Sequence, residues 1–201
     1  MKKILPVFSY LFHPIFIPLL GTFYYVMLSD NFYSKTQFIL LFSQVFIITL
    51  LLPIAFFYLL RTYGKLDDIM LSDISQRKIP LVLQMVLFSV LIQKSIKIDL
   101  FFELYFFFVG GLCSTIFAFI LLYGKLKTSI HMIGMSAFTF FLIGLSYHYK
   151  VNIITTLIFF VVANGFVAAS RLEMKAHSVK ELFLGFLCGS LPQLALFYFW
   201  L

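Results

Sequence analysis

Charge is what this chain has least of. Only 11% of its 201 residues are Asp, Glu, Lys or Arg, against roughly 25% in a water-soluble domain. A soluble globule of this size is excluded by that shortage. Cysteine is scarce as well: Cys113 and Cys188 each sit inside an apolar run, away from any Cys/His cluster. That placement argues against a disulfide framework and a zinc site and leaves both thiols as packing residues. Internal repeats, low-complexity tracts and a soluble domain are also missing, so residues 1–201 read as a single integral-membrane domain.

What is present is apolar surface, with 62% hydrophobic residues and a mean hydropathy of +1.04. The apolar runs fall at residues 4–28, 36–60, 80–96, 100–123, 131–147, 152–169 and 182–201. Most are near the roughly 20 residues that a helix needs to cross a bilayer while satisfying its own backbone hydrogen bonds. The expected fold is an all-α polytopic transmembrane bundle of six to seven membrane segments.

The uncertainty in the count is the first run. It follows Met1-Lys2-Lys3 but has no small-x-small cleavage site, so it reads as retained rather than as a removed signal. His13-Pro14 and Pro18 predict a kinked or broken helix there, because proline removes a hydrogen bond and clashes with the preceding turn. Pro80 suits a first helical turn, and Gly64 and Gly124 stand just past helix ends, where a left-handed residue is often needed. Within Arg61 to Lys78, the residues Ile69, Met70, Leu71 and Ile74 have near-helical spacing and predict a short surface helix.

The net charge of +7 would suggest nucleic acid on a soluble protein, but here it lies in short gaps between apolar runs and excludes that partner. With seven crossings, 11 of the 15 basic residues share one face with 5 of the 8 acidic ones. Cation-rich faces are usually cytoplasmic, although a phosphate-binding site would gather the same residues.

Three polar patches on that face combine residue types that chemistry requires. In Ser170-Arg171-x5-His177-x3-Glu181, a carboxylate follows a histidine by four residues, a spacing that shares one helix face. Glu181 is placed to accept from one ring nitrogen and leave the other as a basic lone pair, which is a nucleophile or general base. Arg171 offers a planar fork of donors for a phosphate. The middle patch, Lys125-Leu-Lys127-Thr128-Ser129-Ile130-His131, opens a helix whose free N–H groups, hydroxyl and lysines suit an anion. His131 stands where a charged ring protonates a leaving oxygen. The first patch, Asp73-Ile-Ser-Gln-Arg77-Lys78-Ile-Pro80, adds two cations just before a helix.

In this order the patches resemble the type 2 phosphatidic acid phosphatase superfamily, with its K-x6-RP, PSGH and SR-x5-H-x3-D elements. The chain is most similar to the divergent, compact bacterial branch whose middle element reads K-x-S-x-H, here Lys127-Thr-Ser129-Ile-His131. It departs in having Met70 seven positions before Arg77, two residues between Arg77 and Pro80, and Glu181 in place of aspartate.

The resemblance implies a lipid phosphatase of a bacterial inner membrane, acting in phospholipid metabolism without metal or cofactor. His177 would attack phosphorus, Glu181 would orient it, and His131 would protonate the leaving alkoxide. Arg171, Ser170, Arg77 and Ser129 would hold the phosphate, with either Lys127 or Lys78 replacing the missing lysine. Such members usually act on the periplasmic side, so charge and resemblance point to opposite faces.

Two other readings compete. Asp67-Asp68 and Asp73 suggest a magnesium-dependent membrane prenyltransferase, and a lipid carrier or assembly protein would use the same scaffold with a decayed site. His13 and His148 read as interfacial anchors, Asn164, Gln44 and Gln84 as interhelical hydrogen-bonding groups, and Gly185-x3-Gly189 as a close helix contact.

Overall fold

A computed structural model describes residues 5–29, 33–64 and 75–201. Seven helical segments among them are long and apolar enough to cross a membrane: Leu5–Leu28, Lys35–Thr62, Lys78–Ser95, Phe102–Tyr123, Ile130–His148, Ile154–Glu173 and Val179–Trp200. No strand occurs among the described residues. The chain is therefore an all-α polytopic bundle, as its composition predicts. The surface helix expected around Ile69 to Ile74, and the acidic residues Asp67, Asp68 and Asp73, lie outside the described residues.

Proline accompanies the breaks inside the first two segments. The first divides into α1 (Leu5–Leu11) and α2 (Ile17–Leu28), joined by a tight 3-10 turn over Pro14–Phe16. His13 caps that turn in an extended conformation, its Nδ1 accepting from the Ile15 N–H at 3.3 Å. The break does not stop the segment from traversing the bundle. Ser9 meets the last turns of Ile154–Glu173, while Tyr25 at the other end bonds Tyr33 in the next connection. In the second segment, α3 (Lys35–Phe46) and α4 (Leu52–Thr62) are separated by a π-helical stretch, Ile47–Leu51. Pro53 follows it and has no N–H for the regular ladder, which accounts for the widened turn.

The remaining helices are α5 (Lys78–Val90), α6 (Phe102–Tyr123), α7 (Ile130–His148), α8 (Ile154–Glu173) and α9 (Val179–Trp200). Helix α7 is the most enclosed and packs against α9, α8, α2 and α6; α1 lies on α8 and α5 on α6. In lipid, tails are as apolar as side chains, so helices associate through tight packing and internal hydrogen bonds rather than expulsion of water. Both occur here. Rings of Phe107 and Phe141 stack at 4.4 Å, and Phe138 meets Phe160 edge-on at 4.8 Å. Asn164 Nδ2 donates to Thr139 Oγ1 at 2.8 Å, tying α8 to α7, and Gln193 Nε2 donates to the Phe107 carbonyl at 3.0 Å, tying α9 to α6.

The α7–α9 contact is closest at the small residues. A Cβ on Gly185 would stand 2.6 Å from the Ser129 carbonyl, and one on Gly189 would run into the Ile133 carbonyl and Ser136 hydroxyl. With the gap so narrow, Ser136 Oγ donates across it to the Phe186 carbonyl at 3.0 Å.

Three helices end on a left-handed lysine. Lys125, Lys150 and Lys175 have φ of 57°, 54° and 52°, and the next N–H closes back five residues: Leu126 to Leu121, Val151 to Ser146, and Ala176 to Arg171. The expected left-handed glycine holds at Gly64, with φ of 65°, but Gly124 has φ of −75° and Lys125 takes its place. That conformation costs a lysine about 1 kcal/mol. It also sets a cation beyond the last carbonyls of the helix, where the macrodipole is negative.

Gly189→Ala is expected to lower stability by about 1–3 kcal/mol through overpacking, although alanine is the better helix former. Gly165→Ala, where nothing lies within 4 Å of the added carbon, should instead raise it by about 0.5 kcal/mol. Thermal unfolding in detergent micelles compares the two. Equal responses would show that the α7–α9 crossing is not held by close contact.

Candidate functional site

The three polar patches converge at one end of the bundle, and backbone carbonyls are what join them. Arg77, just before α5, donates from Nη1 to the Thr128 carbonyl at 3.0 Å. Lys127 Nζ donates to the Ala176 carbonyl at 3.1 Å, linking the α6–α7 and α8–α9 connections. The Ser129 N–H donates to the Glu181 carbonyl at 3.2 Å. Each bond crosses from one patch to another, so residues 77, 127–131 and 170–181 form one cluster.

His177 is at its centre, and its geometry differs in origin from the helical pairing that the spacing suggests. Helix α9 begins only at Val179, with Ser178 as N-cap and Glu181 as the third helical residue. Ser178 Oγ accepts from the Glu181 N–H, and Glu181 Oε2 accepts from the Ser178 N–H, each at 3.3 Å. His177 precedes this capping box, and its Nδ1 donates to the same Oε2 at 2.8 Å. The carboxylate thus reaches back over the helix start rather than along one face. With Nδ1 as donor, Nε2 keeps the lone pair.

Burial keeps the ring neutral, and the charge around it adds to the effect. The His177 side chain is 2% exposed, and burial is the main cause that draws its pKa down to about 4. The Glu181 hydrogen bond opposes this, while the positive charges of Arg77, Lys127 and Arg171 reinforce it. Burial likewise pushes Arg77 down to about 10, against the attraction of Glu181. Lys127 is shifted down by burial and then by Arg77, with Glu181 opposing. Three cations near a neutral imidazole suit an anion carrying more than one negative charge.

The middle patch opens α7 as expected. Ser129 is the N-cap residue, fully buried, and its Oγ has no hydrogen-bond partner among the described residues. An uncapped helix start with a spare hydroxyl keeps its first N–H groups available to an anion. In the last patch, Ser170 and Arg171 belong to the final turn of α8 rather than to a loop. Both are buried. Arg171 Nη1 approaches the sulfur of Met174 at 3.9 Å, and Ser170 Oγ is held 2.6 Å from Ser9 Oγ. Lys78 is not brought in: it is exposed, with Nζ 5.2 Å from the centroid of the Tyr123 ring. Of the two lysines that the sequence leaves open, Lys127 is the one in the cluster.

Helix α1 supplies residues that sequence reasoning missed. His131 Nε2 lies 3.1 Å from the Ser9 carbonyl, and because a carbonyl only accepts, that nitrogen carries the proton. His13, read as an interfacial anchor, stands edge-on to His131 with ring centroids 5.1 Å apart. The only sequence signal was a histidine at a proline break. His148 is also more than an anchor, since its Nε2 bonds Glu103 Oε1 at 3.1 Å on the opposite face and ties α7 to α6. No group of three or more His, Cys, Asp or Glu residues that could hold a metal occurs among the described residues.

A histidine whose folded pKa lies below its unfolded value of about 6.5 binds its proton more readily unfolded. The contribution of His177 to stability is therefore complete above about pH 6.5 and falls away as the pH drops toward 4. Unfolding midpoints measured from pH 7.5 to 4 should decline more steeply for wild type than for His177→Asn, which keeps a donor for Glu181 but does not titrate. Parallel curves would contradict the buried neutral ring.

No family model, curated protein or solved structure matches the chain.

Proposed function

We propose that the protein is a membrane phosphatase that hydrolyses a phosphate monoester or diphosphate on a lipid through a phosphohistidine, without metal. The observation that carries this reading is the neutral His177, with Nδ1 held by Glu181 and Arg77, Lys127 and Arg171 around it.

In the reaction, His177 Nε2 attacks phosphorus and the bond to the lipid oxygen breaks. The leaving alkoxide takes a proton from His131. Water then attacks the phosphohistidine and gives a proton back to His131, releasing inorganic phosphate and restoring the Nε2 lone pair. Glu181 keeps the proton on Nδ1 throughout and stabilises the positive charge that the ring acquires when Nε2 is bonded to phosphorus. Arg77, Lys127, Arg171 and the Ser129 hydroxyl bind the equatorial oxygens, whose charge is spread most widely in the transition state. A cluster at the end of a membrane bundle meets a phosphate at headgroup depth while the lipid tail stays among apolar helices.

The longer arm of glutamate fits the local geometry. His177 lies outside the helix, before the cap, so the carboxylate that orients it has to bend back from the third helical position while also accepting the Ser178 N–H.

His177→Ala should abolish vanadate-sensitive phosphate release from lipid phosphates by the purified protein while the helical fold persists. Glu181→Gln should lower kcat by about 10²–10⁴, because the imidazole loses its orienting negative charge. The screen covers phosphatidate, phosphatidylglycerol phosphate, a polyprenyl diphosphate and lipid A phosphate. Undiminished turnover in His177→Ala would sink the mechanism, and the absence of release from every one of these lipids by wild type would leave a lipid-binding protein.

A further inference from the structure

The break in the first membrane segment delivers a second histidine to the first. His13 is fixed by its cap: Nδ1 accepts from the Ile15 N–H, so in the neutral ring the proton sits on Nε2. His131 is fixed in the opposite sense for the pair. Its Nε2 proton goes to the Ser9 carbonyl, and its Nδ1 keeps the lone pair. The two rings are 5.1 Å apart and nearly perpendicular, at 85°. One therefore holds a spare N–H and the other a spare lone pair, and both constraints come from the same short stretch, Ser9 to Ile15.

We propose that His13 is a positioning residue of the phosphatase site, its ring held against His131 so as to tune proton uptake and release at the His131 nitrogen that the Ser9 carbonyl leaves free. This rests on the phosphatase reading. When His131 is protonated on both nitrogens, Nε2 stays on the Ser9 carbonyl and Nδ1 carries the transferable proton to the leaving oxygen. Transfer breaks the Nδ1–H bond and forms the O–H bond of the lipid alcohol, returning Nδ1 to a lone pair. Two imidazoliums at this separation repel one another, so the pair carries one extra proton at most before the second becomes costly.

Arg171 from α8 acts on both rings, and His177 from the α8–α9 connection acts on His131. Tyr10 of α1 lies near Arg171. Among the described residues, no carboxylate acts on either ring. Of the two titratable rings that act on His131, His13 and His177, His13 is the one in ring contact with it.

His13→Asn separates this role from packing, because asparagine at the cap position keeps an acceptor for the Ile15 N–H but has no second ring nitrogen. Two measurements are made on the purified full-length protein in micelles: the pH profile of phosphate release, and the titration of His131 followed by NMR of isotope-labelled histidine. In His13→Asn, kcat should fall about tenfold or more with KM within about twofold, the limb of the profile that reports the acid should move, and the His131 midpoint should move by about a unit. Unchanged limbs and an unchanged His131 titration in an active variant would overturn the proposal and leave the phosphatase standing. If wild type releases no phosphate from any lipid, the phosphatase reading falls by itself. The His131 titration then decides alone: a shifted midpoint keeps the coupled pair, and an unshifted one overturns it.

Discussion

One oxygen atom, Oε2 of Glu181, accepts both the Ser178 N–H that starts α9 and the Nδ1–H of His177. The fold of the last helix and the tautomer of the central imidazole therefore depend on the same group. A helix end near lipid has no bulk water to satisfy its first N–H groups, so a cap there is worth more than on a soluble surface. The backbone of Glu181 extends the effect, since its carbonyl receives the Ser129 N–H and fixes the start of α7 against α9. Gly185 permits that approach by leaving no side chain between α9 and the Ser129 backbone.

The same logic explains how cations gather here. An arginine or lysine near a bundle end can be satisfied by carbonyls that helices and turns leave unpaired. Arg77 takes the Thr128 carbonyl and Lys127 the Ala176 carbonyl, and both are held in place by these bonds. The far end is built differently, with a buried carboxylate, Glu103, bonded to His148, and a tyrosine pair, Tyr25 and Tyr33, bonded at 2.8 Å.

The first segment shows how a break becomes useful. A straight helix would carry its polar residues past the cluster in a single spiral. Division at His13-Pro14 lets α1 lie on α8 while α2 lies on α7, so Ser9 meets Ser170 and the His13 ring reaches His131. The cost is the lost helical hydrogen bonds around Pro14, partly recovered by the cap that His13 provides.

Hydropathy by itself determined the class, the seven apolar segments and the grouping of Arg77, Lys127, His131, Arg171 and His177 on one face, because each depends on local composition and on counting crossings. It also located the Glu181–His177 pair, since the spacing is short enough for any turn to close. Only the tertiary structure decided that this pair closes over a helix cap, that Lys127 rather than Lys78 joins the cluster, and that Lys125 rather than Gly124 ends α6. Lys78 and Lys127 are equivalent in the sequence; they differ because one faces the Tyr123 ring and the other a carbonyl brought in by the next connection. Ser9, and the contact that His13 makes, were invisible for the same reason. Their partners, Ser170 and His131, lie more than a hundred residues away, and nothing short of helix packing brings such distant residues into contact.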